Sequence, residues 1–345
     1  MTKQQIKNIL KIGFIIASIA SLAFVPWSIV KAWIMPLPSS VQEQLNETIS
    51  QGSKGVIVYI DKKGAKPELH TAGWHDEMNK IPAKPDALFK IASVSKLYVA
   101  VAIAKLVQSN RLSLEGTVAY YFPELKGKIP NTEQITLKML VQHRSGIPNY
   151  TDTENYWAAP KATNQENLEL IFGLPASFAP DESYEYSNTN YLLLRELMTR
   201  TLGHDYFKFI QSNILKPLGL QNTYQSIKDV NIDHVMSGYH IGHPLDLKTD
   251  DIGMVASVED VGKFIRALND GTIFNDGEQD LYSSIYKYEH SGWVPGYQSF
   301  AIYDEELDAV IVQFTSTTDA KLHLWHLSEI SINRIVKVLK NKNNS

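Results

Sequence analysis

The 345-residue chain contains no cysteine, and this absence excludes several kinds of site. Without thiols there is no disulfide framework, no zinc-thiolate centre and no lipid attachment through a cysteine. The sequence also lacks a Gly-x-Ser-x-Gly nucleophile turn, a Walker-type phosphate loop and a His-Glu-x-x-His zinc motif. Its formal net charge is −4 and it has no basic run, so it offers no support for nucleic-acid binding.

The chain has 10 histidines, but their spacing predicts no metal site. His323 and His326 lie three apart on a predicted helix, and no acidic residue evidently completes a ligand set beside them. His240 and His243 lie in a predicted loop, where they can bind a metal or cap turns, and we favour capping. We therefore expect neither a metal nor another cofactor.

An uncharged apolar run lies near the N-terminus. Residues 12–30 carry no charge, three lysines precede them and Lys31 ends the run. As a helix this run is about 28 Å long, close to the hydrocarbon core of a bilayer, and the preceding lysines place the N-terminal end in the cytoplasm. A signal peptide cleaved near Ala23 is the alternative. We expect residues 1–34 to be a membrane anchor or signal peptide, residues 35–40 a linker, and the rest of the chain to be exported.

The remaining residues, 41–345, are expected to form one unit that combines a sheet with a helical region. At 44% hydrophobic residues the chain has ample material for a core. Apolar patterning predicts strands at 55–60, 68–74, 283–293, 297–303 and 309–315. We expect an α/β plus all-α fold, with a five-stranded antiparallel sheet flanked by helices from 41–113 and 270–345. A helical part from 114–269 is inserted between them, and no strand series is expected there.

The first candidate motif is SVSK, which places Ser93 three residues before Lys96. Residues 88–110 have a helical apolar period without Gly or Pro, so the pair lies on one face near a helix start. A partly desolvated Lys96 amine can lose its proton near neutral pH and activate the serine hydroxyl, and the helix N-terminus favours a developing oxyanion. The alternative is an ordinary helix cap at Ser93 with a solvated Lys96.

A second Ser-x-x-Lys runs from Ser284 to Lys287, in a segment that alternates as a strand would. Positions three apart on a strand point to opposite faces, so we predict that this pair does not cooperate. Serine and lysine are both common, and one chance match is expected in a chain of this length.

Two further motifs follow the first. In YSN, Tyr186 can act as a second proton relay if a nearby lysine lowers its pKa, and Asn188 offers an amide to a substrate peptide bond. A half-buried tyrosine with a capping asparagine is the alternative.

The third motif, HSG, comprises His290, Ser291 and Gly292 at the end of a predicted strand. Gly292 lets a substrate approach the backbone, and an N–H just beyond it can serve as an oxyanion donor. His290 can contact a substrate carboxylate, and a surface strand histidine is the alternative.

Together the three motifs resemble the serine β-lactamase and penicillin-binding superfamily, specifically the branch of class C β-lactamases, DD-peptidases and esterases. Linking segments such as LVQSNRLSLEGTVAYYFPEL, QHRSGIPNY and LKPLGLQNTY resemble the same family, and the resemblance extends over about 41–318. It implies a sheet domain with an inserted helical domain and a cleft between them. It also implies that His143, in QHRSGIPNY, is structural.

The resemblance assigns a role to each motif. Ser93 would be acylated, while Lys96 and Tyr186 would share general-base duty. Asn188 would bind the substrate amide, and the backbone N–H groups of Ser93 and Trp293 would form the oxyanion hole.

The chain departs from the family pattern at three positions. His290 stands where class C β-lactamases usually carry lysine, and a neutral imidazole is a poorer partner for a β-lactam carboxylate. Asp181 stands where glycine usually follows proline, and Ile252 where a glycine pair is frequent. The first departure argues against an efficient β-lactamase, and the other two are expected to reshape the cleft without removing the chemistry.

The expected activity is that of an exported serine hydrolase with an acyl-enzyme intermediate and no cofactor. The preferred substrates are cell-wall peptides ending in D-amino acids, which is a DD-peptidase-like activity. A small-ester esterase and a weak class C-like β-lactamase are the alternatives, because specificity depends on cleft loops. A slowly deacylating penicillin- or muropeptide-binding sensor is the alternative outside the enzymes.

Overall fold

The computed structural model describes residues 2–343 of the chain. In that range the helices are α1 (Lys3–Ser21), α2 (Trp27–Ile34), α3 (Val41–Ser50), α4 (Ser95–Gln108), α5 (Val118–Tyr121), α6 (Leu137–Val141), α7 (Asn164–Glu169), α8 (Asn188–Leu202), α9 (Tyr206–Ile210), α10 (Val258–Asn269), α11 (Glu278–Ile285) and α12 (His323–Asn343). The strands are β1 (Gly55–Lys62), β2 (Glu68–Asp76), β3 (Ile81–Pro82), β4 (Leu88–Lys90), β5 (Thr223–Tyr224), β6 (Tyr239–His240), β7 (Val255–Ser257), β8 (His290–Val294), β9 (Tyr297–Asp304), β10 (Ala309–Thr315) and β11 (Thr317–Thr318).

The main sheet is antiparallel, with strand order β3-β2-β1-β10-β9-β8. Strands β1 and β10 lie at its centre, where Val58 is opposite Gln313. Both strands are buried along most of their length, which explains their continuous apolar runs. Early and late segments of the chain therefore meet in one sheet, as the apolar patterning predicted.

The two faces of the sheet pack against different helices, because successive side chains of a strand point in opposite directions. Val58 packs with Leu45 of α3 and Ile335 of α12. Tyr59, the next residue, belongs to the larger core together with Phe264 of α10. The sheet is thus enclosed between a pair of helices and the helical region in the middle of the chain.

The sheet has six strands and not the five that were predicted. The additional strand, β3, has only two residues, and it pairs with β2 across an irregularity between Trp74 and Asp76. Two residues are too few to produce an alternating pattern, so the sequence gives no signal for this strand.

A second difference lies in the region where only helices and loops were expected. Strands β5, β6 and β7 lie in this region and pair with strands outside it: β7 lies between β4 and β5 in a small sheet, and β6 pairs with β11. Strand β4 ends three residues before Ser93, so this small sheet positions the entry to α4.

The strand predicted at 283–293 is wrong in its first half. Helix α11 continues to Ile285, and strand β8 begins only at His290. Glu278 in the first turn of α11 pairs with Lys105 of α4, and the side chains of Tyr282 and Ile285 are buried in the core. These contacts with distant residues hold the segment in a helix, whereas the local alternation of Tyr286 and later residues indicated a strand.

The N-terminal apolar run forms two helices that are separated at Pro26. Proline disrupts a continuing helix because it lacks the N–H group and fixes φ. In the described part of the chain, one helical stretch, Lys3–Phe24, is long and apolar enough to cross a membrane, and it is exposed along its length. Such a stretch is compatible with either an anchor or a signal peptide.

A buried ion pair provides a test of how α4 is held. Lys105 Nζ lies 2.6 Å from Glu278 Oε2, and each side chain is 8% exposed. We expect Lys105→Met to lower the free energy of unfolding by about 3 kcal/mol, because it leaves a buried carboxylate without its cation. Urea unfolding followed by circular dichroism measures this change. The double variant Lys105→Met/Glu278→Leu should recover most of the loss, and equal destabilisation of the two variants would contradict the explanation.

Candidate active site

The first motif lies on a short 3-10 turn, Ala92–Val94, that connects β4 to α4. Ala92 has φ +47°, a left-handed conformation that costs a non-glycine residue about 1 kcal/mol or more. Ser95 Oγ donates to Ala92 O at 2.7 Å, and Ile91 N donates to Met254 O at 3.1 Å. These bonds maintain the strained turn on which Ser93 lies.

Ser93 Oγ is in contact with the two side chains that were predicted to act on it. The Tyr186 hydroxyl donates to Ser93 Oγ at 2.6 Å, and Lys96 Nζ lies 3.2 Å from the same oxygen. Lys96 is one helical turn further along the chain, while Tyr186 comes from the segment that leads into α8. The two motifs therefore converge on one oxygen although 90 residues separate Lys96 from Tyr186.

Lys96 is buried, at 5% exposure. Burial lowers the pKa of its ammonium well below the ordinary lysine value, and the positive charges of Arg195 and Lys287 lower it further. Lys96 Nζ donates to Asn188 Oδ1 at 2.8 Å, and within the described residues no carboxylate forms an ion pair with it. These surroundings favour the uncharged amine, which is the form that can accept a proton.

The condition under which Tyr186 was interpreted as a proton relay, a pKa lowered by a nearby lysine, is not met. Burial raises the pKa of the phenol, and the hydrogen bond with Ser93 offsets only part of that effect. A buried Lys96 without charge cannot stabilise a phenolate, which explains the difference. Tyr186 is therefore a protonated phenol that donates to Ser93.

Asn188 is the first residue of α8 and links Lys96 to the rest of the helical region. Its Oδ1 accepts from Lys96, and its Nδ2 donates to Thr151 Oγ1 at 3.0 Å. Its backbone N–H donates to Asn149 Oδ1 at 2.9 Å. The side chain is thus fixed in orientation, with one Nδ2 hydrogen left for another acceptor.

His143 is closer to this site than its interpretation as a structural residue suggested. Its ring stacks on Tyr186 with 4.5 Å between ring centroids. Burial lowers its pKa to about 3, and Nδ1 accepts the Ser187 backbone N–H at 3.1 Å. The proton of the neutral ring is therefore on Nε2, which is buried and has no hydrogen-bond partner among residues 2–343. The sequence shows only that His143 follows α6, and no motif connects it to Tyr186.

His290 is also buried and neutral. Burial lowers the pKa of its ring well below the usual value, and the positive charge of Lys287 lowers that pKa further. Its Nδ1 lies 2.5 Å from Ser291 O, an acceptor, so Nδ1 carries the proton. Its Nε2, 3.0 Å from the Tyr286 hydroxyl, then accepts from that group. Both nitrogens are occupied, so in this arrangement His290 does not donate to a substrate carboxylate as was expected.

Gly292 brings strand β8 against the nucleophile turn. A Cβ atom on Gly292 would lie 2.5 Å from Ser299 Oγ, 2.6 Å from Ile91 O and 2.8 Å from Ser93 N. No side chain fits at such distances, so the position requires glycine. The close contact places the third motif beside Ser93, with Ser291 and Trp293 as its neighbours on the edge strand.

A cavity of about 290 Å³ lies next to Tyr186 and His290. Its wall consists of Gln142, His143, Arg144, Tyr184, Tyr186, Ile285, Tyr286, Lys287 and His290. The wall contains two cationic side chains and no carboxylate. Arg144 is paired with Asp181, whereas Lys287 is exposed and is not part of any ion pair in the described residues.

The two loop departures have different structural effects. Asp181 has φ +66°, the left-handed conformation for which glycine is the usual residue, and the Arg144 contact holds it there. Ile252 packs against the main core, and the following Gly253 has φ +75°. Asp181 therefore keeps the glycine-like turn and adds an ion pair at the cavity rim.

The histidines outside the site make separate contacts. His240 Nδ1 lies 2.8 Å from Thr318 Oγ1, and His326 Nδ1 lies 3.7 Å from Glu329 Oε2. Over residues 2–343, no group of three or more metal-binding side chains comes together.

The family model described as beta-lactamase matches residues 41–284. The chain belongs to the beta-lactamase family. It is similar to a penicillin-binding protein of Bacillus subtilis (strain 168), with 29% identity over 205 residues, 57% of this chain and 42% of that protein. It is also similar to Protein flp of Staphylococcus aureus (strain COL), with 28% identity over 271 residues, 74% of this chain and 53% of that protein. The chain spans about half the length of the curated relatives it matches.

Solved structures agree with the family. D-amino acid amidase from Ochrobactrum anthropi SV3, complexed with L-phenylalanine amide, has a TM-score of 0.77 at 25% identity, covering 88% of this chain and 98% of that one. D-stereospecific amidohydrolase from Streptomyces sp. has a TM-score of 0.71 at 19% identity, covering 82% and 95%, and shows the fold alone. These structures agree with membership of the β-lactamase and penicillin-binding superfamily.

Substitution of Gly292 tests the contact between β8 and the nucleophile turn. We expect Gly292→Ala to slow acylation by a labelled penicillin or an activated ester about 100-fold or more, because the methyl group displaces either Ile91 O or Ser93 N. Gly13→Ala is the control, since Gly13 has open space and an ordinary φ. Thermal unfolding checks that both variants are folded, and unchanged acylation in Gly292→Ala would show that the contact does not matter.

Proposed function

We propose that the protein is an exported acyl-enzyme hydrolase that acts on peptides ending in D-amino acids, with a DD-peptidase-like activity. The observation that carries this proposal is the contact of Ser93 Oγ with a buried Lys96 amine and a Tyr186 phenol. Relatives described as a penicillin-binding protein and a D-amino acid amidase support this substrate class. The apolar segment Lys3–Phe24 supports export.

Acylation follows from the protonation states of the two side chains. Ser93 Oγ attacks the substrate carbonyl carbon, and its proton passes to the uncharged Lys96 amine. When the carbon–nitrogen bond breaks, the leaving amine takes a proton from the Tyr186 phenol, which the Lys96 proton then restores. Water, or another acceptor, subsequently cleaves the Ser93 ester and releases the acyl group.

The oxyanion of the tetrahedral intermediate is assigned to the backbone N–H groups of Ser93 and Trp293. The close approach of Gly292 to Ser93 N brings the two segments together. Preorganised donors at such a position typically contribute about 3–4 kcal/mol to the transition state. Asn188, with one free Nδ2 hydrogen, is assigned to the substrate amide oxygen.

The nucleophile is tested by mass spectrometry of the full chain after brief exposure to a fluorescent penicillin. We expect one adduct, located on Ser93, and none in Ser93→Ala because the attacking oxygen is absent. Ser284→Ala, in the other Ser-x-x-Lys segment, is the matched control and should be labelled normally.

The time course separates the related activities. A stable penicillin adduct, together with release of D-alanine from an acyl-D-Ala-D-Ala peptide in a separate assay, supports the DD-peptidase, whereas rapid loss of the penicillin adduct supports a β-lactamase. Hydrolysis of an activated ester without any adduct supports an esterase. An adduct that survives in Ser93→Ala would contradict the assignment of the nucleophile.

Lys287 is proposed to hold the carboxylate of the substrate, in place of His290. Both nitrogens of His290 are occupied, and Lys287 lines the same cavity. The charge of Lys287 is close enough to His290 to lower the pKa of that ring, although burial has the larger effect on it. A charge-assisted hydrogen bond from Lys287 contributes about 1.5–3 kcal/mol.

Paired substrates test this assignment. We expect Lys287→Met to lower kcat/KM at least about tenfold for an acyl-D-Ala-D-Ala peptide with a free carboxylate, because the removed ammonium no longer contacts that group. The same peptide with a C-terminal amide should be unaffected. Lys263→Met, on the surface of α10, is the control. An equal loss for both peptides would contradict the proposed carboxylate contact.

A further inference from the structure

Helix α2 is attached to the catalytic domain although it follows the apolar N-terminal helix directly. Ile29 and Ala32 on its inner side pack against Leu324, Leu327 and Ile330 of α12. A helix of eight residues is marginal in isolation, so this packing is what maintains it. The segment after α1 is therefore part of the folded domain.

Arg334 of α12 strengthens this attachment at the C-terminal end of α2. Its guanidinium donates to Met35 O at 2.8 Å, to Pro36 O at 2.7 Å and to Ala32 O at 3.5 Å. Carbonyl groups at a helix end have no partner within the helix, and a buried cation there also interacts favourably with the helix dipole. Glu47 balances the charge at 3.1 Å. The expected linker at 35–40 thus begins as a fixed connection.

The outer face of α2 is apolar and exposed. Trp33 is 76% exposed and Ile34 is 73% exposed, and Trp27 and Phe24 are exposed beside them. A folded domain rarely presents so many large apolar side chains together without a binding partner. This face, comprising Trp27, Trp33 and Ile34, is referred to below as the aromatic face.

The surroundings of the aromatic face match a bilayer interface. It continues directly from Lys3–Phe24, the stretch that is long and apolar enough to span a membrane. With eight residues, about 12 Å, α2 is too short to cross a membrane. Tryptophan is enriched where a membrane-spanning segment meets the lipid headgroups. Lys31 is the sole charged residue between residues 25 and 42, and its positive charge favours contact with anionic lipid.

We propose that the aromatic face of α2 lies in the headgroup region of a lipid bilayer and holds the catalytic domain against the membrane surface. The inner face of α2 binds the domain while its outer face binds lipid. This arrangement does not depend on the proposed substrate, so it stands or falls independently of the hydrolase activity.

The absence of cysteine allows a sharp test with single labels. Ile34→Cys, labelled with an environment-sensitive fluorophore, is prepared in the full chain and reconstituted in vesicles of phosphatidylcholine and phosphatidylglycerol. Lipids with a nitroxide near the glycerol should remove most of the fluorescence at position 34, and lipids with a nitroxide at the chain end should remove much less. Tyr120→Cys is the control, because Tyr120 is 76% exposed on α5 and should not be quenched by either lipid.

Other results overturn the proposal. A label at position 34 that is quenched no more than the label at position 120 would show that the face does not contact lipid. A shielded, blue-shifted label without lipid quenching would show that protein, such as a second copy of the chain, covers the face. Strongest quenching by the chain-end nitroxide would place α2 in the hydrocarbon core and not at the interface. Circular dichroism and thermal unfolding of each variant verify that the domain is folded.

Discussion

The burial of one lysine amine next to a serine hydroxyl is the constraint on which the site depends. A lysine in water is charged at neutral pH and cannot accept a proton, whereas burial shifts Lys96 toward the neutral form. Burial alone would be costly, so the amine keeps hydrogen-bonding partners in Ser93 and Asn188. The helical region and the sheet both contribute to this environment, and neither could create it alone.

The same low-polarity surroundings determine the states of the neighbouring groups. Burial keeps Tyr186 protonated, and it keeps His143 and His290 neutral. The neutral histidines then serve as fixed donors and acceptors, since each uses a ring nitrogen to hold a specific partner. Lys287, at the open side of the cavity, is exposed. The positive charge available to a substrate is thus at the cavity rim, and the interior uses uncharged donors.

Local patterning predicted much of the fold, and its errors have specific causes. The central strands β1 and β10 are recovered because their apolar runs are long and uninterrupted. Strand β3 was not predicted, because two residues are too few to show an alternating apolar pattern. The last residues of helix α11, 283–285, were taken for a strand because the contacts that stabilise this helix, the Lys105 pair and the burial of Tyr282, involve distant residues. The apolar run at 12–30 was treated as one helix, but it is divided at Pro26, and the stretch long enough to cross a membrane is Lys3–Phe24.

The sequence by itself determined the chemistry that is available: a serine and a lysine one helical turn apart, a tyrosine and asparagine before a second helix, and a glycine on a strand. Spacing of this kind is local, so it can be read from the sequence without knowledge of the fold. Only the tertiary structure decided how these groups behave. Desolvation decides whether Lys96 is charged. The distances between remote segments decide whether His290 has a free nitrogen and whether Gly292 contacts Ser93. Neither desolvation nor these distances can be read from any one stretch of the chain.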